Sequence, residues 1–184
     1  MTAPSAPHVI ATPPAAPQLE PIYRAEFTYV WNSLKRLGAT ERDLPDLTQN
    51  VFLAVHQQLP TYDPKRPLRL WLFGIAFRVL SNHRRSGAQQ REVFDETAET
   101  ADSQLAADEQ LDARQKRQLV LESLAQLDDD KRVVLVMHDL DGHTMPDIAA
   151  ELGVGLNTLY SRLRLARAEF IAAAGRLRRA RGES

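Results

Sequence analysis

The chain has 184 residues, 43% hydrophobic and 26% charged, an ordinary globular composition with room for one medium domain or two small ones. It contains no cysteine, which excludes disulfides and cysteine-ligated zinc or iron–sulfur chemistry and fits a reducing, cytoplasmic setting. The net charge of −1 conceals a segregation: Lys and Arg outnumber Asp and Glu 10 to 5 over residues 21–86 and 7 to 5 over residues 141–184, while residues 87–113 hold 1 basic and 8 acidic side chains.

Residues 1–20 set Pro4, Pro7, Pro13, Pro14 and Pro17 among Ala, Ser and Thr. That is too little apolar surface to offset chain entropy, so a disordered tail is expected. With no Lys or Arg and no sustained apolar run there, neither a signal peptide nor membrane insertion is expected. From Pro21, Tyr23, Phe27, Val30, Leu34 and Leu37 recur at helical steps beside Trp31 until Gly38, which predicts a core-facing helix. A second helix follows, with Asp43 as its cap, Pro45 in its first turn and Leu47, Val51 and Val55 as its buried stripe.

"PTYDPKRP" reads as a constrained basic loop. The third helix is expected from about Leu68 to Arg85, burying Leu68, Leu72, Ile75 and Val79. Arg69, Trp71, Phe73, Phe77, Arg78, Asn82, Arg84 and Arg85 are spread around the rest. Aromatics interleaved with arginine suit unstacked bases and their backbone together.

Residues 87–113 lack periodicity and read as a flexible acidic linker. The second domain begins near Arg114: Leu119, Val120, Leu124 and Leu127 line one helix, and Asp128 to Asp130 place negative charge at the start of the next. Thr144 and Asp147 form a capping-box-like pair for a short helix that Gly153 ends. Strand-like alternation is absent, so the fold class is all-α: two small helical domains joined by a linker.

The turn at Gly153 and the helix after it make a helix-turn-helix, with Ile148, Ala149, Leu152, Val154, Leu159 and Leu163 between its two helices. At about 100° per residue, Leu159, Leu163, Ala166 and Phe170 share one side, and Asn157, Tyr160, Ser161 and Arg164 the opposite one. Those polar types hydrogen-bond base edges and phosphates in a major groove. Arg162 and Arg167, on the flanks, are placed to hold phosphates.

"DLPDLTQNVFLAVHQQLPTYDPKRPLRLWLFGIAFRVLSNHRR" and "LAQLDDDKRVVLVMHDLDGHTMPDIAAELGVGLNTLYSRLRLARAEF" together resemble regions two and four of extracytoplasmic function sigma factors, minimal members of the sigma-70 family. The resemblance covers most of residues 22–172 in the family's order. It implies region two over residues 21–86, region four over residues 114–177 and a short basic tail over residues 178–184. It also implies a dissociable subunit that binds core RNA polymerase through Asp46, Gln49 and Phe52 and directs it to promoter DNA. Tyr62, Lys65, Arg66, Arg78, Asn82, Arg84 and Arg85 are implied as minus-ten contacts. Asn157, Thr158, Tyr160, Ser161, Arg162 and Arg164 are implied as minus-thirty-five contacts. An anti-sigma factor is an implied partner. Asn50 departs from the family pattern, which favours a carboxylate there, and the proline-rich start has no counterpart in it.

Other readings compete. "HDLDGH", with His138, Asp139, Asp141 and His143, has metal-ligating residue types but is also an ordinary inter-helix turn, and no metal is expected. No phosphate-binding glycine loop, nucleophile elbow or zinc-protease helix occurs, so neither an enzyme nor a cofactor is expected. A stand-alone helix-turn-helix regulator or a helical adaptor would share the second domain and differ in needing no polymerase or no DNA, respectively.

Overall fold

The computed structural model describes residues 18–90 and 107–182. Residues 1–17 of the expected tail, residues 91–106 of the expected linker and residues 183–184 lie outside them. Among the described residues the secondary structure is helical throughout: α1 (Leu19–Arg36), α2 (Leu44–Gln58), α3 (Leu68–Gln90), α4 (Ala107–Ala125), α5 (Asp129–Leu135), α6 (Met145–Leu152) and α7 (Leu156–Ala180). Helices α1, α2 and α3 pack on one another, and α7 packs on α4, α5 and α6. The buried side chains of both groups form one continuous apolar cluster, because α3 also meets α6 and α1 meets α4.

Helix α1 starts two residues before Pro21, taking in Leu19 and Glu20 from the expected tail. Glu20 accepts a hydrogen bond from Arg24 at 2.6 Å one turn on, and its charge favours a helix N-terminus. Of the predicted stripe, Val30, Leu34 and Leu37 are buried, but Tyr23 is exposed and Phe27 half-buried. Gly38 ends the helix with φ +88°, and a Cβ there would stand 2.6 Å from the Arg132 guanidinium and 2.9 Å from that of Arg84. Both backbone and packing therefore require glycine.

Asp43 occupies the cap position of α2, but its carboxylate makes no bond to the helix N-terminus. Instead it accepts from Thr40 Oγ1 at 2.8 Å, while Thr40 Oγ1 accepts from the Asp43 N–H at 3.3 Å. Leu47, Val51 and Val55 are fully buried as predicted.

Helix α3 differs most from expectation. Leu72 and Ile75 are buried, but so are Leu70, Trp71, Phe73 and Ala76, whereas Leu68 and Val79 are only half-buried. The reason is that α3 has neighbours on several sides, α1 and α2 on one and α6 on another, so a single stripe does not describe it. Trp71 and Phe73 are core residues; burying each is worth roughly 1.5–3 kcal/mol.

In the second half, the Asp128–Asp130 charges sit at the start of α5, whose C-terminal end passes into a π-helical turn, Val136–Leu140. Arg132 of α5 is buried, and its guanidinium donates to the carbonyls of Leu124 (2.7 Å), Leu127 (2.7 Å) and Leu37 (2.6 Å). These carbonyls lie at the ends of α4 and α1, where a cation complements the helix dipole. Burial pulls the Arg132 pKa down, with Asp129 opposing the shift.

Candidate nucleic-acid interface

The helix-turn-helix is built as its sequence predicts. Thr144 Oγ1 accepts from the Asp147 N–H (3.3 Å) and donates to the Asp147 carboxylate (2.6 Å), fixing the start of α6. Gly153, at φ +65°, turns the chain out of α6, and α7 begins after Gly155. Ile148, Leu159, Leu163 and Ala166 are buried between the helices. Asn157, Thr158, Tyr160, Ser161 and Arg164 are exposed along the other side of α7, so the sequence-predicted reading face is assembled. The flanking arginines are engaged: Arg162 donates to Asp130, and Arg167 makes two bonds to Asp139 at 2.6 and 2.8 Å. The Arg167 bond holds the Asp139 carboxyl below its usual pKa.

The basic loop before α3 is also ordered by its own residues. Leu59–Thr61 form a 3-10 turn, the Lys65 N–H donates to Asp63 Oδ1 (3.0 Å), and the Tyr62 hydroxyl donates to the Arg66 carbonyl (2.7 Å). The Tyr62 ring lies 4.5 Å from that of Trp71. Trp71 thus backs the loop from the core and is not itself a surface for bases. Lys65 is exposed.

Arg66 from this loop and Arg78 from α3 converge on one acceptor that periodicity did not single out. Glu151, near the end of α6, accepts from Arg66 Nη2 at 2.6 Å and from Arg78 Nη1 at 3.2 Å. Its side chain is 3% exposed, against 42% and 49% for the two arginines. The carboxylate lies against the backbone of α3 at Gly74, where a Cβ would stand only 2.1 Å from Glu151 Oε1. A glycine inside the apolar stretch from Leu70 to Phe77 was the one sequence signal of that close approach.

The remaining implied minus-ten residues do not join this cluster. Arg84 holds Asp129 with Nη1 (2.6 and 2.7 Å) and donates from Nη2 to the carbonyls of Leu37 (2.8 Å) and Gly38 (2.9 Å). It ties α3 to both α1 and α5. Arg85 donates to Asn82 one turn before it, and both are exposed. A further tie joins Asp141, which accepts from Arg36 (2.6 Å) and from the Tyr29 hydroxyl (2.7 Å). Burial, then Asp141, raises the Tyr29 pKa.

On α2, Asp46 and Gln49 are exposed. Phe52 is 5% exposed, its ring 4.7 Å from Tyr23 and 6.3 Å from Phe27. The aromatic cluster forms the wall of a groove of about 510 Å³ that Trp31, Pro45, Leu53 and His56 complete. In the "HDLDGH" turn, His138 Nδ1 lies 2.9 Å from the His143 carbonyl and Asp139 and Asp141 are taken by arginines. Among the described residues no group of His, Asp and Glu is arranged to hold a metal ion.

Comparison with known proteins is consistent across the chain. Residues 22–91 match the family model for Sigma-70 region 2, and residues 117–170 match that for Sigma-70, region 4. The RNA polymerase sigma factor CnrH of Cupriavidus metallidurans is 31% identical over 146 residues, covering 75% of this chain and 76% of that protein. The ECF RNA polymerase sigma factor SigL of Mycobacterium tuberculosis is 29% identical over 146 residues, covering 79% and 82%. The solved structure of CnrH in complex with the cytosolic domain of CnrY aligns with TM-score 0.60 at 25% identity, over 84% of this chain and 85% of that one. The sigma factor RpoE of Bartonella quintana, solved with the anti-sigma factor NepR, aligns with TM-score 0.67 at 18% identity, over 84% and 94%, a likeness of fold.

Proposed function

The chain belongs to the sigma-70 family of RNA polymerase sigma factors, on its extracytoplasmic function branch, and from that premise we propose how its residues divide the work of promoter recognition. It binds core RNA polymerase through α2, with Asp46 and Gln49 outside and the aromatic groove around Phe52 receiving an apolar ridge. It reads the upstream minus-thirty-five element through Asn157, Thr158, Tyr160, Ser161 and Arg164 of α7. It takes the melted minus-ten strand on the loop of Tyr62, Lys65 and Arg66 and on Arg78, Asn82 and Arg85 of α3. Arg162 and Arg84 join these sets when their ion pairs are released, and Arg66 and Arg78 must likewise leave Glu151.

The observation that carries this reading is the two-sided character of α7: Leu159, Leu163 and Ala166 are buried while the hydrogen-bonding residues opposite them are exposed, beside a capped α6 and a Gly153 turn. Capturing an unstacked base costs a few kcal/mol, which pocket contacts must offset, whereas upstream duplex needs only groove reading. Two separate DNA surfaces suit that division. The stand-alone regulator reading falls with the family assignment. The chemistry of RNA synthesis belongs to the polymerase, and no catalytic group is assigned to this chain.

The proposed partners are core polymerase, promoter DNA and an anti-sigma factor, the last by analogy with the RpoE–NepR complex. The cytoplasm, where polymerase works, is the proposed location, and no helix among the described residues is long and apolar enough to cross a membrane. The test is run-off transcription from a promoter library with core polymerase, with and without this chain. Sequence-specific transcripts that need the chain and disappear with Asn157→Ala plus Arg164→Ala are the expected result. DNA binding without polymerase, and no transcripts, would overturn it.

A further inference from the structure

We infer that Glu151 is a latch: it holds the first helix of the helix-turn-helix on the arginine face of α3, so that the free chain is closed and its minus-ten surface is occupied by one of its own carboxylates. This rests on the reading of Arg66 and Arg78 as minus-ten contacts. Glu151 takes a guanidinium from each of these residues, and its side chain is almost wholly shielded from solvent although both arginines remain about half exposed. A phosphate would compete for the same N–H groups that the carboxylate now fills. Gly74 is part of the device, since any side chain there would push the carboxylate away.

Distance shows that the closed form must open. Duplex DNA rises about 3.4 Å per base pair, so elements named for positions some 25 base pairs apart lie roughly 85 Å from one another. Here α6 touches α3, and α7 follows α6 after a three-residue turn. The recognition helix is therefore held beside the minus-ten face and cannot reach the upstream element at the same time. Arg36 on Asp141 and Arg132 on the Leu37 carbonyl hold the two halves away from the residues assigned to DNA, and Arg84 on Asp129 occupies one of those residues, whereas the Glu151 contact occupies two at once. Closing the chain and shielding the promoter-melting surface are then one event.

The absence of cysteine makes the test direct. Cysteines introduced as Thr28→Cys on α1 and Ala172→Cys on α7, both exposed positions, take a donor and an acceptor dye. Energy transfer in this labelled chain is compared with that after Glu151→Ala, Gly74→Ala and, as a control within the second half, Glu122→Gln, which removes a charge paired with Arg181. Gly74→Ala favours the helix by propensity, so its effect is not one of unfolding α3. Transfer is expected to fall for Glu151→Ala and Gly74→Ala and to hold for Glu122→Gln. In parallel, affinity for a 12-nucleotide A/T-rich single-stranded DNA, read by anisotropy without polymerase, is expected to rise at least about fivefold in the first two. Unchanged transfer in both variants would overturn the latch. Reduced transfer with unchanged DNA affinity would keep the latch and overturn the assignment of Arg66 and Arg78 to DNA.

Discussion

The Arg132 guanidinium of α5 donates to the carbonyl of Leu37 at the end of α1, a 2.6 Å bond between residues 95 positions apart. The same group serves the carbonyls of Leu124 and Leu127, so one buried cation closes the ends of two helices from different halves of the chain. Replacing it leaves several buried acceptors without a donor, each costing about 1–3 kcal/mol. Arg132→Met is therefore expected to lower stability by about 3 kcal/mol in urea unfolding. A midpoint within error of the parent would refute this account of the residue.

Phe52 and Asp46 belong to the same proposed docking set on α2, but one is buried and the other exposed, so their removal differs in effect. Phe52 packs edge-on to Tyr23 and stacks on Phe27, so Phe52→Ala is expected to cost about 3–5 kcal/mol of stability before any partner is present. Asp46→Ala with Gln49→Ala, on exposed positions, should leave the unfolding midpoint within about 0.5 kcal/mol while abolishing coelution with core polymerase. Retained coelution in that double variant would sink the proposed docking face.

Along α7 the arginines are expected to separate by their present engagements. Arg164→Ala should cost roughly 1–3 kcal/mol of discrimination at one promoter position, the range of a specific base contact. Arg162→Ala should change discrimination less, because its guanidinium is committed to Asp130 and a partly exposed pair is worth about 0–1 kcal/mol. Competition binding of the polymerase complex at fixed salt against single-base promoter variants measures both. Equal losses would show that the Asp130 pair breaks on DNA.

His143 gives the fold a pH dependence of defined sign. Burial lowers its pKa, against the opposing charges of Asp141 and Asp147, and its buried Nε2 has no hydrogen-bond partner. The unfolded chain therefore binds the proton more readily. The contribution of neutral His143 is intact above the ordinary value of about 6.5 and is lost as pH falls from there through the lower folded-state value. His143→Leu is expected to flatten the fall in unfolding free energy below about pH 6.5. An unaltered slope would place its origin elsewhere.

Local chemistry made much of this legible beforehand. Thr144 followed by Asp147, Gly153 after α6, and the angular sorting of Leu159 from Tyr160 are statements about neighbours on one helix, which a sequence carries directly. The misses are long-range pairings. Nothing local distinguishes Arg84, a strut to Asp129, from the exposed Arg85 beside it. Trp71 and Phe73 looked available for bases because α3 was given one buried stripe, whereas α6 covers it from a second side. The sequence reading did not single out Glu151, and Gly74 was its only trace.

The proposed reading face lies exposed on α7, while Glu151, the proposed latch, lies on the preceding helix. On those proposals, substitutions at Asn157, Tyr160, Ser161 or Arg164 would retarget the protein to other promoters without disturbing its closure. Substitutions at Glu151 or Gly74 would alter the closure and leave the choice of upstream element unchanged. Descendants of such a chain are free to inherit one property and diverge in the other.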